Sequence, residues 1–436
     1  MIFKYDFRYT VLSQLVNCAF RSNFRKVVYI NKEKIPKKVP IIFAPTHRNA
    51  VMDGLTLVYM NVKQIVFLAR ADIFGSKLLR WILSGVKVMP IYRIRDGKEN
   101  LEKNNQVFKD CKRVLDCRGE ALCLFPEAVH NPNQSLLPLQ KGAARIALPT
   151  EALSNFESNI HIVPVSIYYT NKTEYLSDVY ITFGEPVKVG EYKEVYEQNP
   201  NLAINNLRHD LDENLRSITV DIANTSYYNY HTYCLDLAGK DVAKKHFPKD
   251  KDGIVKAYRA IDNKLDDLYE NNRPRFLEVV DDFARVFSIL RLNKLSTKDD
   301  IKNPKGLFSL FFRFLMLILF SPIALCGLIN MIFPIFFYRF LRKKIKDEQF
   351  IATIRTIVGL TAVPIFSAIQ ATVLGLLLHS WISALIYLFA SPLLLLFASY
   401  WRKWWRTSVR MCKVRKFAKK HREDWEYVVS VTDFEI

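Results

Sequence analysis

A histidine and an aspartate lie six positions apart in the stretch "FAPTHRNAVMDG", residues 43–54. Six residues turn an α-helix by about 600°, so a single helix would point His47 and Asp53 to different faces. The two side chains meet only if His47 precedes the helix. A carboxylate bonded to one imidazole nitrogen leaves the other nitrogen to take a proton from a hydroxyl group. The pair is therefore either half of a catalytic site or a turn histidine near a surface aspartate.

The flanking residues support an arrangement in which His47 lies outside the helix. Residues 39–45 ("VPIIFAP") are apolar, partly β-branched and closed by a proline, which predicts a short buried strand. Thr46 or Asn49 is a suitable cap for a helix that carries "AVMDGLTLVYM". This places His47 in the turn between strand and helix, with Asp53 early in the helix and able to reach back.

Further polar residues follow other predicted strands. The candidates are Arg93 and Arg95 in "VMPIYRIRDG", Glu127, His130, Lys141 and Gly142 in "LFPEAVHNPNQSLLPLQKG", and the end of "IVPVSIYYTN". In an open α/β sheet, ligands bind outside the carboxyl ends of the strands, and arginine there suits a phosphate. Each residue also has an ordinary explanation: Arg93 as a surface residue, Glu127 as a helix cap and Gly142 as a packing glycine.

The stretches "PTHRNAVMD", "MPIYR", "FPEAVH" with "KG", and "VPVSI" resemble, in this order, the four sequence blocks of the glycerolipid acyltransferase family, over roughly residues 38–190. This family acylates glycerol-3-phosphate and lysophosphatidate. The resemblance implies an acyl thioester donor, from acyl-CoA or acyl carrier protein, with no metal, cofactor or acyl-enzyme. It also implies that His47 is the catalytic histidine, Asp53 its partner, Arg93 a phosphate ligand and Glu127 the glutamate of the third block.

Two departures from the family pattern concern the first and third blocks. Five residues separate His47 from Asp53 where four are usual, a variant that resembles one branch of glycerol-3-phosphate acyltransferases. The third block commonly reads Glu-Gly-Thr-Arg, whereas this chain has "EAVH". Ala128 thus stands where the family has a glycine, and His130 stands where it has an arginine, which is a permanent cation. Lys141 or Arg145 is therefore the expected substitute for phosphate binding.

The pattern along the chain predicts an α/β fold class, an open mixed sheet with flanking helices, followed by a helical insert and a C-terminal transmembrane helical region. The predicted strands are residues 40–44, 64–69, 86–92, 121–125, 160–168 and 178–184. The predicted domains are an amphipathic N-terminal helix region (1–37), an acyltransferase domain (38–195), a charged helical region (196–305), membrane-embedded helices (306–405) and a basic cytosolic tail (406–436).

Three charge-free stretches, residues 314–338, 357–378 and 382–400, are each long enough to span a hydrocarbon core. Basic runs at residues 339–346 and 402–422 flank them and should face the cytosol. If Lys302, Lys305 and Arg313 are cytosolic too, the first stretch is a re-entrant hairpin bent at Pro322 to Pro334; otherwise it is a plain span. The N-terminal stripe of Val11, Leu12, Leu15, Val16 and Ala19 either rests on the membrane or packs on the domain.

The formal net charge of +20 indicates an anionic partner. Because the densest basic run follows an apolar segment, the predicted partners are membrane lipids, a phosphorylated glycerol acceptor and the acyl donor, and not nucleic acid. The seven cysteines have no CxxC spacing, so no metal site is predicted.

The predicted function is an O-acyltransferase in phosphatidate synthesis with His47 as general base and backbone N–H groups at the next helix start holding the oxyanion. It would sit in a bacterial inner membrane or the endoplasmic reticulum. The alternative is a catalytically silent lipid-binding or membrane-tethering protein of the same fold.

Overall fold

The structure, a computed structural model, describes residues 7–60, 63–92, 98–116, 120–434 and 436. The chain forms two compact units. The first comprises Met1–Asp221 and Ile345–Thr356, and the second comprises Ile222–Lys344 and Ile357–Ile436. The chain therefore returns to the first unit after a long excursion.

The strands of the first unit form one mixed sheet. Their bounds are β1 (Phe24–Ile30), β2 (Ile41–Pro45), β3 (Gln64–Arg70), β4 (Val88–Ile91), β5 (Glu120–Cys123), β6 (His161–Tyr169), β7 (Ser177–Phe183) and β8 (Val187–Lys188). The order is β1-β7-β6-β2-β5-β3-β4, with β8 beside β6. Strands β6, β2, β5, β3 and β4 run parallel in succession, while β7 and β8 are antiparallel to β6. The predicted open mixed sheet is confirmed; β1 and β8 were not predicted.

Helices cover both faces of this sheet. They are α1 (Phe7–Asn23), α2 (Val51–Met60), α3 (Lys77–Gly85), α4 (Lys98–Asp116), α5 (Gly142–Ala152), α6 (Lys193–Gln198) and α7 (Pro200–Ile218). Ile41 and Phe43 of β2 face the core under α1 and α2, whereas Ile42 and Ala44 face the core under α4, α5 and α7. Because both faces of β2 are buried, its sequence is apolar throughout and shows no alternation.

The first unit extends beyond the predicted acyltransferase boundary at residue 195. Helix α7 buries Leu207, Leu211 and Leu215 in the same core as β2 and α5. This helix lies within the predicted charged helical region (196–305), yet its leucines pack on the sheet, and the N-terminal part of the first unit ends at Asp221.

Helix α1 turns a different face inward than its apolar stripe suggests. Val11, Leu12 and Leu15 are exposed by 45%, 37% and 56%, while Asn17 and Phe20 are buried. Val16 and Ala19 of the same stripe are half-buried, so the stripe packs on the domain only in part. An exposed apolar face is what a helix resting on a membrane surface presents.

The second unit is helical. Its helices are α8 (Tyr228–His246), α9 (Gly253–Asn271), α10 (Arg273–Leu292), α11 (Leu307–Leu319), α12 (Ser321–Lys343), α13 (Phe350–Leu377), α14 (Trp381–Lys420) and α15 (Arg422–Thr432), with the start of α13 in the first unit. Helix α10 lies in the predicted charged helical region, and it buries Phe276, Phe283 and Val286.

Among the described residues, three helices are long and apolar enough to cross a membrane: α12, α13 and α14. A re-entrant hairpin bent at Pro322 to Pro334 is wrong, because α12 continues unbroken through Gly327, Asn330 and Pro334. The break falls at Phe320 instead, between α11 and α12. Pro322 lies in the first turn of α12, where a missing N–H costs no hydrogen bond.

Candidate active site

His47 lies just beyond the carboxyl end of β2, outside the following helix as predicted. Thr46 fixes the start of the loop, since its N–H donates to Val165 O at 2.9 Å and its hydroxyl accepts from Ile167 N at 3.0 Å. Helix α2 begins at Val51, so Asp53 lies in its first turn. Between them, Ala50 adopts a left-handed conformation with φ 44°. The loop thus reverses direction within a few residues and brings the two side chains together.

The His47 and Asp53 side chains form a hydrogen bond. His47 Nδ1 lies 3.0 Å from Asp53 Oδ2. The same oxygen accepts the N–H groups of Arg48 and Asn49, both at 2.7 Å, and Oδ1 accepts the Tyr169 hydroxyl at 2.8 Å. Burial, and then the charge of Asp53, raises the pKa of Tyr169 well above its usual value, so its hydroxyl stays a donor. Asp53 is fully buried and held by four donors.

This network leaves the second nitrogen of His47 for chemistry. With Nδ1 donating to Asp53, Nε2 is the basic nitrogen, and no hydrogen bond to it is found among the described residues. The His47 side chain is 18% exposed and its ring stacks on Phe125 at a centroid distance of 4.1 Å. The ring is thus partly accessible, and the contacts with Asp53 and Phe125 fix its tautomer and its plane.

The same network changes one expectation. The predicted oxyanion donors were backbone N–H groups at the start of the helix, but those of Arg48 and Asn49 donate to Asp53. These two groups are therefore occupied by the carboxylate, and oxyanion binding by backbone N–H groups at the helix start stays a prediction. The N–H groups of Arg48 and Asn49 stabilise the carboxylate that orients His47.

Glu127 braces the loop from the other side. Its Oε1 accepts the His47 N–H at 2.9 Å, its Oε2 accepts the Leu137 N–H at 3.0 Å, and both oxygens accept from Arg48 Nη1. The Glu127 and Arg48 side chains are completely buried. Both carboxylate oxygens are thus used to join the His47 loop to the segment after β5.

Arg48 is a residue that sequence reasoning missed. It directly follows His47, but an arginine is expected on the surface, and only a buried acid such as Glu127 makes its burial acceptable. Its Nε and Nη2 are buried and have no hydrogen-bond partner among the described residues.

His130 lies beside His47, with the two rings edge to face at 5.7 Å. Its Nε2 is 3.0 Å from Asp347 Oδ2, a residue far along the chain that no local pattern singles out. Ala128, two residues earlier, has φ 58°, which is the conformation that the usual glycine of the third block favours. The structure thus brings His47, Asp53, Glu127 and His130 together.

The other predicted ligands are placed less centrally. Lys141 is the residue before α5, where the adjoining Gln140 N–H donates to Pro126 O at 2.7 Å, and Gly142 begins that helix. A Cβ at Gly142 would meet Leu124 at an ordinary 3.5 Å. Arg93 and Arg95 lie outside the described residues, just after β4 ends at Ile91.

Lys172 is a second residue that sequence reasoning missed. Its Nζ donates to Pro132 O at 2.7 Å and its carbonyl accepts from Asn49 Nδ2 at 3.4 Å, so it bridges the loops after β2, β5 and β6. Burial, and then the charge of Arg48, lowers the pKa of Lys172 to about 8. The available signal was its position directly after "IVPVSIYYTN".

Comparison with known proteins identifies relatives of this part of the chain. A family model described as Acyltransferase matches residues 26–168. The chain is 27% identical over 145 residues to glycerol-3-phosphate O-acyltransferase 2 of Saccharomyces cerevisiae, covering 33% of this chain and 18% of that protein. It is 24% identical over 169 residues to a probable 1-acyl-sn-glycerol-3-phosphate acyltransferase of Mycoplasma pneumoniae, covering 37% of this chain and 56% of that protein.

The chain thus spans less than two thirds of the length of both relatives. Among solved structures, the 1-acyl-sn-glycerophosphate acyltransferase PlsC from Thermotoga maritima matches 47% of this chain and 78% of its own, at 19% identity and a TM-score of 0.33. The family model covers the strands and loops that hold His47, Asp53 and Glu127. Residues 26–168 therefore form an acyltransferase domain.

Proposed function

We propose that the chain transfers an acyl group from an acyl thioester to a hydroxyl group of 1-acylglycerol-3-phosphate or glycerol-3-phosphate, with His47 as general base. The observation that carries this proposal is the hydrogen bond between His47 Nδ1 and the buried Asp53, which leaves Nε2 as the basic nitrogen of a partly exposed ring. It lies within a domain of the acyltransferase family.

The reaction then needs one proton transfer and one displacement. His47 Nε2 takes the proton as the acceptor hydroxyl attacks the thioester carbonyl carbon. The new C–O bond forms, the C–S bond breaks, and the imidazolium returns its proton to the departing thiolate. Asp53 stabilises the imidazolium formed in the first step. General-base catalysis of this kind contributes roughly 10²- to 10⁴-fold in rate.

Glu127 has a positioning role in this proposal. The resemblance implied a catalytic glutamate, but both oxygens of Glu127 accept hydrogen bonds from the His47 loop, Arg48 and Leu137. A carboxylate used in this way holds the backbone of the base in place and is not itself free to exchange protons.

The acceptor phosphate needs cations near His47. Arg48 of the loop is paired with Glu127, while His130 and Lys172 are cation-forming side chains that contact the loop, and Lys141 lies where α5 begins. Arg93 and Arg95 remain the proposed phosphate ligands from the second block. A bidentate guanidinium grip suits a phosphate monoester, and its loss should appear in the acceptor KM.

Three apolar helices long enough to cross a membrane were found among the described residues. The basic runs at residues 339–346 and 402–422 support a cytosolic location for the C-terminal parts of α12 and α14 that carry them and for the acyltransferase domain. An acyl thioester donor is also cytosolic, so this orientation brings domain and donor to the same side.

The test is acyl transfer from a radiolabelled acyl thioester by membranes that carry the wild type or His47→Ala, with the two acceptors offered separately. Label should enter lysophosphatidate or phosphatidate with the wild type alone, and the labelled product names the acceptor. Full activity of folded His47→Ala would exclude the base. No transfer by folded wild type, with acyl-CoA or acyl carrier protein as donor, would favour a silent lipid-binding protein.

A further inference from the structure

The segment Ile345–Thr356 contributes a side chain to the neighbourhood of His47. In sequence it comprises the link after the apolar helix α12 and the first residues of α13. It nevertheless belongs to the first compact unit. Asp347 Oδ2 lies 3.0 Å from His130 Nε2, and the Phe350 ring meets the His130 ring edge to face at 5.8 Å. The His130 ring thus contacts both this segment and the His47 ring. The centroids of the two histidine rings are 5.7 Å apart.

The segment is anchored by contacts that do not involve Asp347. Arg355 Nε donates to Asn23 Oδ1 at 2.6 Å and its Nη1 to Thr173 O at 2.9 Å. The Thr356 hydroxyl accepts from Asn23 Nδ2 at 3.0 Å, and Ala352 is buried in the core under α2. A change at Asp347 alone should therefore leave the segment in place.

The Asp347 carboxylate is itself oriented. Its Oδ1 accepts the Gln349 N–H at 3.1 Å, which fixes the start of α13 and points Oδ2 at His130. The hydrogen bond occupies His130 Nε2, so Nδ1 is the nitrogen left for a ligand. If an anion binds Nδ1 while Asp347 holds Nε2, both nitrogens donate and the ring is an imidazolium.

We propose that Asp347 is a positioning residue of the acyl-transfer site: it holds His130 so that the ring donates to the phosphate of the acceptor. The inference rests on the proposed function, since it assumes a phosphorylated acceptor beside His47. It explains how a histidine serves where the third block of the family commonly carries an arginine, which needs no partner to stay charged. It also gives the segment between α12 and α13 a role in substrate binding.

The test compares steady-state kinetics of Asp347→Asn, Glu348→Gln and the wild type, with the accepted phosphorylated glycerol as the varied substrate. Asparagine keeps an oxygen for the Gln349 N–H but loses the charge that supports a cationic His130. The acceptor KM should rise roughly 10- to 100-fold, the worth of a hydrogen bond to a charged group, with kcat nearly unchanged. Glu348→Gln removes the same charge from the exposed neighbouring residue and should leave KM unchanged.

A rescue separates positioning from a structural role. His130→Arg in the Asp347→Asn background supplies a cation that needs no carboxylate, so the acceptor KM should return to within a few-fold of the wild type. Thermal unfolding in detergent verifies that each variant is folded. An unchanged KM in Asp347→Asn, a loss confined to kcat, or a folded double variant without recovery would each overturn the inference.

The failure of the proposed function has a different signature. If folded wild type acylates neither acceptor, the proposed function fails, and the thermal shift of wild type and Asp347→Asn with glycerol-3-phosphate tests the inference directly. A shift in the wild type that is smaller in Asp347→Asn supports the positioning role. Equal shifts, or none, overturn it.

Discussion

Each compact unit contains a histidine whose Nδ1 is hydrogen-bonded to an aspartate, and the two pairs differ in how exposed the histidine is. In the first unit, His47 Nδ1 lies 3.0 Å from Asp53 Oδ2. In the second, His231 Nδ1 lies 2.8 Å from Asp262 Oδ1. Both aspartates are buried. By distance, residue type and nitrogen the two pairs are nearly the same.

The difference is access. The His47 side chain lies in the loop at the carboxyl end of the central strand β2 and is 18% exposed. The His231 side chain lies within α8, is 1% exposed and faces Asp262 of α9, with its Nε2 buried and without a hydrogen-bond partner among the described residues. A substrate hydroxyl cannot reach such a nitrogen without opening the helices. A histidine and aspartate pair therefore indicates a general base only when the second nitrogen can be reached.

The largest expected effect is an opposite response to the same substitution in the two pairs. His47→Ala should lower kcat roughly 10²- to 10⁴-fold while changing the free energy of unfolding by less than about 1 kcal/mol. Asp53 keeps three other donors in that variant. His231→Ala should keep kcat per folded molecule but lower the free energy of unfolding by about 2 to 4 kcal/mol, since it removes a buried hydrogen bond to a carboxylate and leaves a cavity.

Both variants are measured for acyl transfer and for denaturant unfolding in the same detergent. If His231→Ala lost turnover while remaining folded, or if His47→Ala kept it, the distinction by access would be wrong.

The sequence predicted the first pair better than its surroundings. The strand before His47 and the helix carrying Asp53 were predictable because an apolar run, a proline and cap residues lie within a few positions of each other. All six predicted strands are present, since each was predicted from a local apolar run. Strand β1 was missed, because "FRKVVYI" is half-exposed and carries two basic residues, so its pairing with β7 gives little local signal.

The missed site residues are those whose role depends on distant parts of the chain. Asp347 reaches His130 only because the segment after α12 folds back onto the first unit. Arg48 is acceptable in the interior only because Glu127 comes from the loop after β5. Local periodicity carries no information about such pairings. The four sequence blocks follow strands, so they do indicate that the site lies at the carboxyl ends of the strands.

A smaller effect concerns the cation beside the first pair. Lys172 is expected to cost stability while charged, because its pKa is lowered to about 8 from 10.5 by burial and then by Arg48. Below pH 8 the ammonium is charged in both folded and unfolded chains and the full cost is present. As the pH rises from about 8 to 10.5, the folded chain loses the proton first and the cost disappears.

Lys172→Met lacks this titration. Thermal unfolding of wild type and variant is measured from pH 7 to 10. As the pH rises, the free energy of unfolding of the wild type should increase relative to that of the variant by on the order of 1 kcal/mol. A difference that is constant over this range would show that Lys172 titrates normally.

The smallest effect sharpens the comparison at the level of the backbone. In the loops around His47, Ala50 and Ala128 adopt the left-handed conformation, with φ 44° and 58°. Ala260, by contrast, lies inside the regular helix α9, two residues before Asp262. A left-handed alanine costs about 1 to 2 kcal/mol, and glycine costs roughly 0.5 to 1 kcal/mol in lost chain entropy.

Ala128→Gly should therefore leave the free energy of unfolding unchanged or raise it by up to about 1 kcal/mol, while Ala260→Gly should lower it by about 1 kcal/mol. Denaturant unfolding of both variants measures the two signs side by side. Destabilisation of Ala128→Gly by as much as Ala260→Gly would mean that position 128 is not left-handed in solution. Opposite signs would show that the His47 site accepts backbone strain that the helices around His231 avoid.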